Sequence, residues 1–249
     1  MNGGRRPALS VNVNKVATLR NSRGGAVPSV LEATRVCIAA GAPGITVHPR
    51  ADARHIRFDD VRGLAGELHA RVGAVELNIE GDPRPDLLDL ALDVRPSQFT
   101  LVPVRPGEVT SQAGWRPETP RDDMQRTVRS LKDAGIRVSI FVDPDAEAVR
   151  WAAGVGGDRV ELYTEPFARA FAAGEGQASF ERYATMAGLA HDLGLGVNAG
   201  HDLDLNNLVL FRQLPHLDEV SIGHALISHA LYVGLDRAVR DYLAVLAQT

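Results

Sequence analysis

Residues 9–14 read LSVNVN and residues 44–50 read GITVHPR, and the alternation inside these two stretches decides the fold. Side chains point to opposite faces along a strand, so Leu9, Val11 and Val13 share one face while Ser10, Asn12 and Asn14 share the other. In the second stretch Ile45 and Val47 oppose Thr46, His48 and Arg50. The split recurs as Leu77 and Ile79 against Asn78 and Glu80, Val160 and Leu162 against Glu161 and Tyr163, and Val220 and Ile222 against Ser221 and Gly223; Gln98, Thr100, Ser139 and Asp143 obey it too. Strands covered by helices give them their apolar face, which leaves the polar face to line an interior.

Working outward, eight short β-branched runs stand out, at 9–13, 44–47, 74–79, 98–102, 137–142, 159–163, 196–199 and 219–222. Helical periodicity lies between and after them, near 28–40, 59–69, 85–92, 121–134, 145–153, 180–193, 205–214 and 225–246. Eight strand-helix alternations in 249 residues predict a single-domain α/β fold, the (β/α)8 TIM barrel. A doubly wound sheet is the runner-up, but no strand-turn-helix carries G-x-G-x-x-G. Two connections after strands are long. Residues 103–120, rich in Pro and Gly, predict an active-site lid, and residues 164–176 predict an extra short helix.

Composition bounds the function. With 27 basic and 31 acidic residues the net charge is −4, which gives no electrostatic reason to expect nucleic acid or an anionic membrane. No stretch approaches the roughly 18 apolar residues of a membrane span, and the start shows no signal-peptide pattern, so a cytoplasmic protein is expected. The single cysteine, Cys37, sits in an apolar helical pattern and is read as core.

The polar parity identifies the candidate site. A barrel interior is normally filled with branched aliphatics, and each buried polar group left unsatisfied costs about 1–3 kcal/mol. Ser10, Thr46, Ser139 and Ser221 are expected merely to hydrogen-bond with other axial Asn, Ser and Thr side chains. That account fails for His48, Arg50, Glu80, Glu161, His201 and His224, which fall at or just beyond strand C-termini, where barrel enzymes build their sites. Glu80 and Glu161 are candidate base and charge stabiliser, and His48 and His201 candidate proton carriers. NAGH at 198–201 and SIGH at 221–224 each put Gly-His where a helix is expected to start, an arrangement suited to phosphate. Arg50 with His55 suits a second phosphate. The absence of His-x-His on strand one and of H-E-x-x-H argues against a catalytic metal. His69, His191, His216 and His229 read as ordinary helix or surface residues. Lys15, one of only two lysines, is a conceivable Schiff-base nucleophile, although its parity with Val11 and Val13 points it away from the axis.

The motifs NVNKVATLRNSRGG (12–25), GITVHPRADARHI (44–56), LNIEG (77–81), TLVPVRPGEVTSQAGW (100–115), VSIFVDPD (138–145), VELYTEP (160–166), VNAGHDL (197–203) and SIGHALI (221–227) together resemble the pyridoxine 5′-phosphate synthase family, in order and over nearly the whole chain. The resemblance implies a homo-octameric barrel enzyme without a cofactor. Its two substrates would be 1-deoxy-D-xylulose 5-phosphate and 3-amino-2-oxopropyl phosphate, condensed to pyridoxine 5′-phosphate. It implies that His48 and Glu80 are proton acceptors, His201 the proton donor and Glu161 a transition-state stabiliser. Asn12, Arg23, Asp202, Gly223 and His224 resemble the aminoketone phosphate site. Arg50, His55 and Thr110 resemble the deoxyxylulose phosphate site, to which Asn14 and Lys15 also correspond, standing where the family commonly has Asp-His. Two other functions fit the same barrel: a Lys15 Schiff-base aldolase or phosphosugar isomerase, and a non-catalytic phosphometabolite-binding protein. Borohydride trapping distinguishes the first and a turnover assay the second.

Overall fold

The architecture was taken from a computed structural model that describes residues 6–69, 75–104 and 113–248. Eight strands, β1 (Ala8–Asn12), β2 (Gly44–Val47), β3 (Glu76–Gly81), β4 (Gln98–Leu101), β5 (Arg137–Val142), β6 (Arg159–Tyr163), β7 (Gly196–Gly200) and β8 (Leu217–Ile222), pair in parallel and in sequence order, and β8 closes on β1. The helices between them are α1 (Asn14–Asn21), α2 (Val30–Ala39), α3 (Phe58–His69), α4 (Pro85–Val94), α5 (Arg121–Asp133), α6 (Ala146–Gly154), α7 (Glu165–Ala172), α8 (Gly176–Asp192) and α9 (Leu208–Phe211), with α10 (His224–Val233) and α11 (Leu235–Ala247) after β8. The chain is thus a single-domain (β/α)8 barrel, as the alternation predicts. No helix among the described residues is long and apolar enough to cross a membrane.

The two parities separate as read. Val11, Ile45, Ile79, Val138, Leu162 and Val220 are fully buried between the strands and the helices. Each removes apolar area worth about 1.5–3 kcal/mol from water. The opposite parity fills the barrel with polar groups. Ser10 Oγ and Thr46 Oγ1 lie 2.6 Å apart, Asn78 Nδ2 donates to Thr46 Oγ1 at 3.3 Å, and Thr100 Oγ1 donates to Asn78 Oδ1 at 3.0 Å. Lower down, Gln98 Oε1 accepts from Arg137 Nε at 2.9 Å and from Asn198 Nδ2 at 3.3 Å. Ser221 donates to Glu80, and Ser139 Oγ finds no partner among the described residues, so the expected serine-threonine lining holds for Ser10 and Thr46 only.

Three elements depart most from the sequence reading. The strand at 9–13 ends at Asn12, because Val13 already has φ −91° and ψ 11° and caps α1, a helix that the sequence reading omits. The pattern at 225–246 breaks into α10 and α11 at Gly234, whose φ of 86° an L side chain rarely adopts. The pattern at 205–214 yields only the short α9, and the helix predicted inside 164–176 is α7. Cys37 lies fully buried in α2, and burial pushes its thiol up to about 12.

α1 is locked to the first turn of α3 by a buried ion pair, and to the loop before α3 by hydrogen bonds. Arg20 Nη1 and Nη2 donate to the two carboxylate oxygens of Asp60 at 2.5 and 2.9 Å, and Nη2 also reaches the His55 carbonyl at 3.2 Å. Asn21 Nδ2 donates to the same carbonyl at 2.8 Å, while Asp60 accepts from the Arg57 amide at 2.8 Å. Removing the cation strands a carboxylate that is 15% exposed. Arg20→Met is therefore expected to lower stability by about 3 kcal/mol, seen as a lower urea midpoint with unchanged slope. Asp60→Asn strands the Arg20 cation, itself only 7% exposed, and should cost a comparable amount, whereas the double variant should cost clearly less than the two singles summed; additive costs would refute the stranded-charge account.

Candidate active site

A cavity of about 460 Å³ opens at the C-terminal end of the barrel. Asn12, Asn14, Lys15, His48, Arg50, His55, Glu80, Glu161, His201, Asp202, Gly223 and His224 all line it. Of the remaining sequence-predicted residues, Arg23 sits exposed in the turn after α1 and is not on the wall, and Thr110 lies outside the described residues.

The strands deliver the acid-base groups. Glu80, near the end of β3, accepts from Asn12 Nδ2 at 3.4 Å and from Ser221 Oγ at 3.4 Å. His48 follows β2 directly; its backbone amide donates to Asn14 Oδ1 at 2.9 Å, and the Asn14 amide donates to Asn12 Oδ1 at 3.1 Å. The Asn12–Asn14 pair therefore holds both proposed proton acceptors. His48 Nδ1 stands 3.8 Å from Glu80 Oε2, and its buried Nε2 has no partner among the described residues. Burial, seconded by the charges of His55 and Arg50, pushes His48 down to about 3. Burial pushes Glu80 up to about 7, against the opposing pull of His201 and Ser221. His48 is thus a neutral imidazole at neutral pH, and its contact with Glu80 is not an ion pair.

Glu161 lies 3% exposed on β6, and its Oε2 has no partner among the described residues. Burial first, then the neighbouring carboxyls of Glu80 and Glu219, push it well above the usual range. Its carboxyl occupies the space beside Gly200: a Cβ there would stand 2.3 Å from Glu161 Oε1 and force the carboxyl to shift. Glu219 is the third buried carboxyl of this stack, raised to about 7 chiefly by burial, with Arg159 Nη1 at 3.9 Å. It shares parity with Ser221, so alternation could have disclosed it.

The two Gly-His turns differ. At β8 the expectation holds: Gly223 caps α10, His224 opens it, and the first-turn amides lack intrahelical acceptors. A Cβ on Gly223 would meet Asn12 Cβ at 3.0 Å, so glycine permits this close approach. At β7 no helix starts; residues 201–207 form an irregular turn, and α9 begins only at Leu208. His201 instead donates or accepts through Nδ1 to Asp202 Oδ2 at 2.7 Å.

Lys15 is also placed differently from its expected position. Since β1 stops at Asn12, the first turn of α1 swings Lys15 over the cavity mouth instead of behind the strand. Across the mouth, Arg50 Nε stands 3.5 Å from Asp52 Oδ2, and His55 Nδ1 accepts from the Ile56 amide at 3.0 Å, which places the ring proton of neutral His55 on Nε2. Burial and the Arg50 charge push His55 down to about 4. Val102 and Phe141 give the cavity an apolar patch, with Tyr163 packed against them and the Phe141 and Tyr163 ring centroids 5.4 Å apart. Val102 and Phe141 share the axial parity of Thr100 and Ser139 but, being apolar, gave no signal as site residues. Among the described residues, no three His, Cys, Asp or Glu side chains gather as a metal cage.

The family model described as "Pyridoxal phosphate biosynthesis protein PdxJ" matches residues 9–248. The chain belongs to the PdxJ family. Relatives named pyridoxine 5′-phosphate synthase include those of Christiangramia forsetii, 52% identical over 96% of this chain and 98% of that protein, and Bacteroides fragilis, 52% identical over 94% and 97%. The chain is accordingly an enzyme of the PdxJ family, and its place is in vitamin B6 biosynthesis. Among solved structures, a putative fructose-1,6-bisphosphate aldolase from Coccidioides immitis superposes with a TM-score of 0.65 at 11% identity, covering 97% of this chain and 91% of that one. A phosphoribosylanthranilate isomerase from Thermotoga maritima gives 0.59 at 12% identity, covering 98% and 100%. These two likenesses carry the barrel fold alone.

The raised Glu80 carboxyl makes a stability prediction for this PdxJ-family barrel. Its folded value, about 7, exceeds the ordinary 4.5, so the stability it supports is full below 4.5 and is lost as pH rises through 7. Glu80→Gln cannot ionise and should gain on the parent over that window, by up to about 3 kcal/mol. Urea unfolding of both proteins at several pH values measures the gain; parallel pH curves would contradict it.

Proposed function

We propose that the chain condenses 1-deoxy-D-xylulose 5-phosphate with 3-amino-2-oxopropyl phosphate to pyridoxine 5′-phosphate, releasing inorganic phosphate and water, without a cofactor. The observation that carries this reading is the set of proton-exchanging groups around one cavity: the neutral imidazole of His48, a Glu80 carboxyl raised to about 7, the Glu161 carboxyl and His201. The reaction needs such a set. An amine adds to a ketone and water leaves, a proton is removed so that phosphate can depart, and a carbon nucleophile closes the ring on the second ketone.

In this reading His48 and Glu80 accept protons, His201 donates one, and Glu161 stabilises the transition state. Asn12, Arg23, Gly223 and His224, with the backbone at the Asp202 position, serve the aminoketone phosphate, and Asn14, Lys15, Arg50, His55 and Thr110 the deoxyxylulose phosphate. The open amides of α10 beside Gly223 and the guanidinium of Arg50 support two separate anion subsites. Residues 103–120, of which 105–112 lie outside the described residues, act as a lid that keeps imine and enol intermediates from water. The return leg supports this, because Trp115 is tied to the barrel by its amide on the Phe141 carbonyl and its indole on the Leu101 carbonyl, both at 2.9 Å. The enzyme works in the cytoplasm as a homo-octamer, an assembly supported by the exposed apolar side chains of Val27, Leu231 and Tyr232.

A turnover assay with both phosphorylated ketones tests the reading. The parent should form pyridoxine 5′-phosphate, and Glu80→Gln should keep its fold but lose ring formation by orders of magnitude. No product from a folded parent would leave a binding protein. That Lys15 faces the cavity favours the Schiff-base alternative, so it has its own test. Under the proposal, borohydride traps nothing on Lys15 and Lys15→His keeps substantial turnover, whereas a trapped adduct together with loss of turnover in Lys15→His would replace the condensation by imine chemistry on the lysine.

A further inference from the structure

The turn after β7 contains two consecutive non-glycine residues in the left-handed region, His201 at φ 86° and Asp202 at φ 50°. Such residues cost of order 1–3 kcal/mol each and persist only where their surroundings dictate them. The surroundings here are specific. Thr164, fully buried after β6, donates its hydroxyl to the Gly200 carbonyl at 2.7 Å and also to the His201 carbonyl. Asn207, 3% exposed, donates Nδ2 to the Asp202 carbonyl at 3.1 Å. Asn207 is itself held by Asp204, whose carboxylate accepts the Asn207 amide at 2.8 Å and whose own amide donates to Asn207 Oδ1 at 2.9 Å. Both carbonyls of the unfavourable turn are thereby pinned from two sides.

What the turn achieves is the placement of one carboxylate against one imidazole. Asp202 Oδ2 stands 2.7 Å from His201 Nδ1, and the His201 ring lies edge-on to Tyr163 with centroids 5.4 Å apart. The contact depresses the Asp202 carboxyl below its usual range, the hydrogen bond from His201 being the largest cause. An ionised carboxylate has no proton to give, so Nδ1 must be the donor and the neutral ring must carry its proton there. A carboxylate is likewise unsuited to bind phosphate through its side chain, because it offers an anion only acceptors.

We propose that Asp202 is the positioning residue of His201, selecting the tautomer and ring orientation in which Nε2 exchanges protons with the substrate. The inference rests on the acid-base role given above to His201. In the donating step the ring starts as the imidazolium: the Nε2–H bond breaks, the proton passes to a substrate oxygen and the bonding pair stays on Nε2. Nδ1 keeps its own proton, hydrogen-bonded to the Asp202 carboxylate, so the ring is left as the neutral Nδ1–H tautomer. Oriented carboxylate-histidine pairs of this kind change rates by 10-fold or much more when the carboxylate is removed.

Two variants and two kinds of measurement decide it. Asp202→Asn keeps an oxygen acceptor without charge, and Asp202→Gly fits the left-handed backbone while removing the acceptor. Turnover number should fall about 10-fold in the first and about 100-fold in the second, with the KM of each substrate within about 3-fold of the parent. Nitrogen-15 NMR of the imidazoles, assigned through His201→Gln, should show neutral His201 as the Nδ1–H tautomer in the parent and as a mixture in Asp202→Gly. A parent with the proton on Nε2, or the same tautomer in parent and Asp202→Gly, overturns the proposal whatever the activity. A raised KM for the aminoketone phosphate with unchanged turnover number also overturns it, by making Asp202 a substrate contact. If the parent makes no pyridoxine 5′-phosphate, the functional reading falls, and the NMR result still decides the positioning.

Discussion

A closed parallel barrel covered by helices has no solvent face, so every strand must bury both of its parities. The rest of this molecule follows from how that constraint is met. The outer parity meets the helices with Val, Ile and Leu, while the inner parity carries Ser, Thr, Asn, Gln, Glu and Arg whose polar atoms must find partners in one another. Toward the base the supply of donors and acceptors is nearly balanced, and Gln98, Arg137, Asn198 and Arg159 satisfy one another. Toward the C-terminal end it is not. There His48 Nε2 and Glu161 Oε2 are left without partners among the described residues, facing a cavity where a substrate can supply them.

The same burial sets the electrostatics. Desolvation raises Glu80, Glu161 and Glu219 first of all; Glu80 and Glu219 further disfavour the ionisation of Glu161, and Glu219 that of Glu80. Cations at the mouth act in the opposite sense on the imidazoles: burial and the nearby Arg50 hold His48 and His55 neutral. The result is a site stocked with groups that move protons near neutral pH, beneath a rim whose Lys15, Arg50 and α10 amides suit anions.

The rim depends on contacts outside the cavity. Arg20 and Asn21 reach from α1 to the His55 carbonyl, so the helix carrying Lys15 and the loop carrying His55 are held as one unit. Glycines act as clearances instead of hinges at two points, at 200 for the Glu161 carboxyl and at 223 for Asn12.

The amino-acid order by itself determined the barrel, its eight strands, the axial parity and nearly all of the cavity wall, because alternation along a strand is a local property that survives without knowing any neighbour. Family membership was legible for a similar reason, since the motifs sit at strand ends and keep their chain order. What only the tertiary structure decided are the places where a residue's surroundings are set by chain far away. Lys15 turns over the cavity because β1 stops one residue short of its apolar pattern and a helix begins. NAGH ends in a pinned, left-handed turn and not a helix because Thr164 and Asn207 take its carbonyls. Phe141 and Val102 join the wall although they look like ordinary core residues. In each case periodicity is silent, because the deciding term is a hydrogen bond or a packing contact that alternation along one strand or helix does not encode.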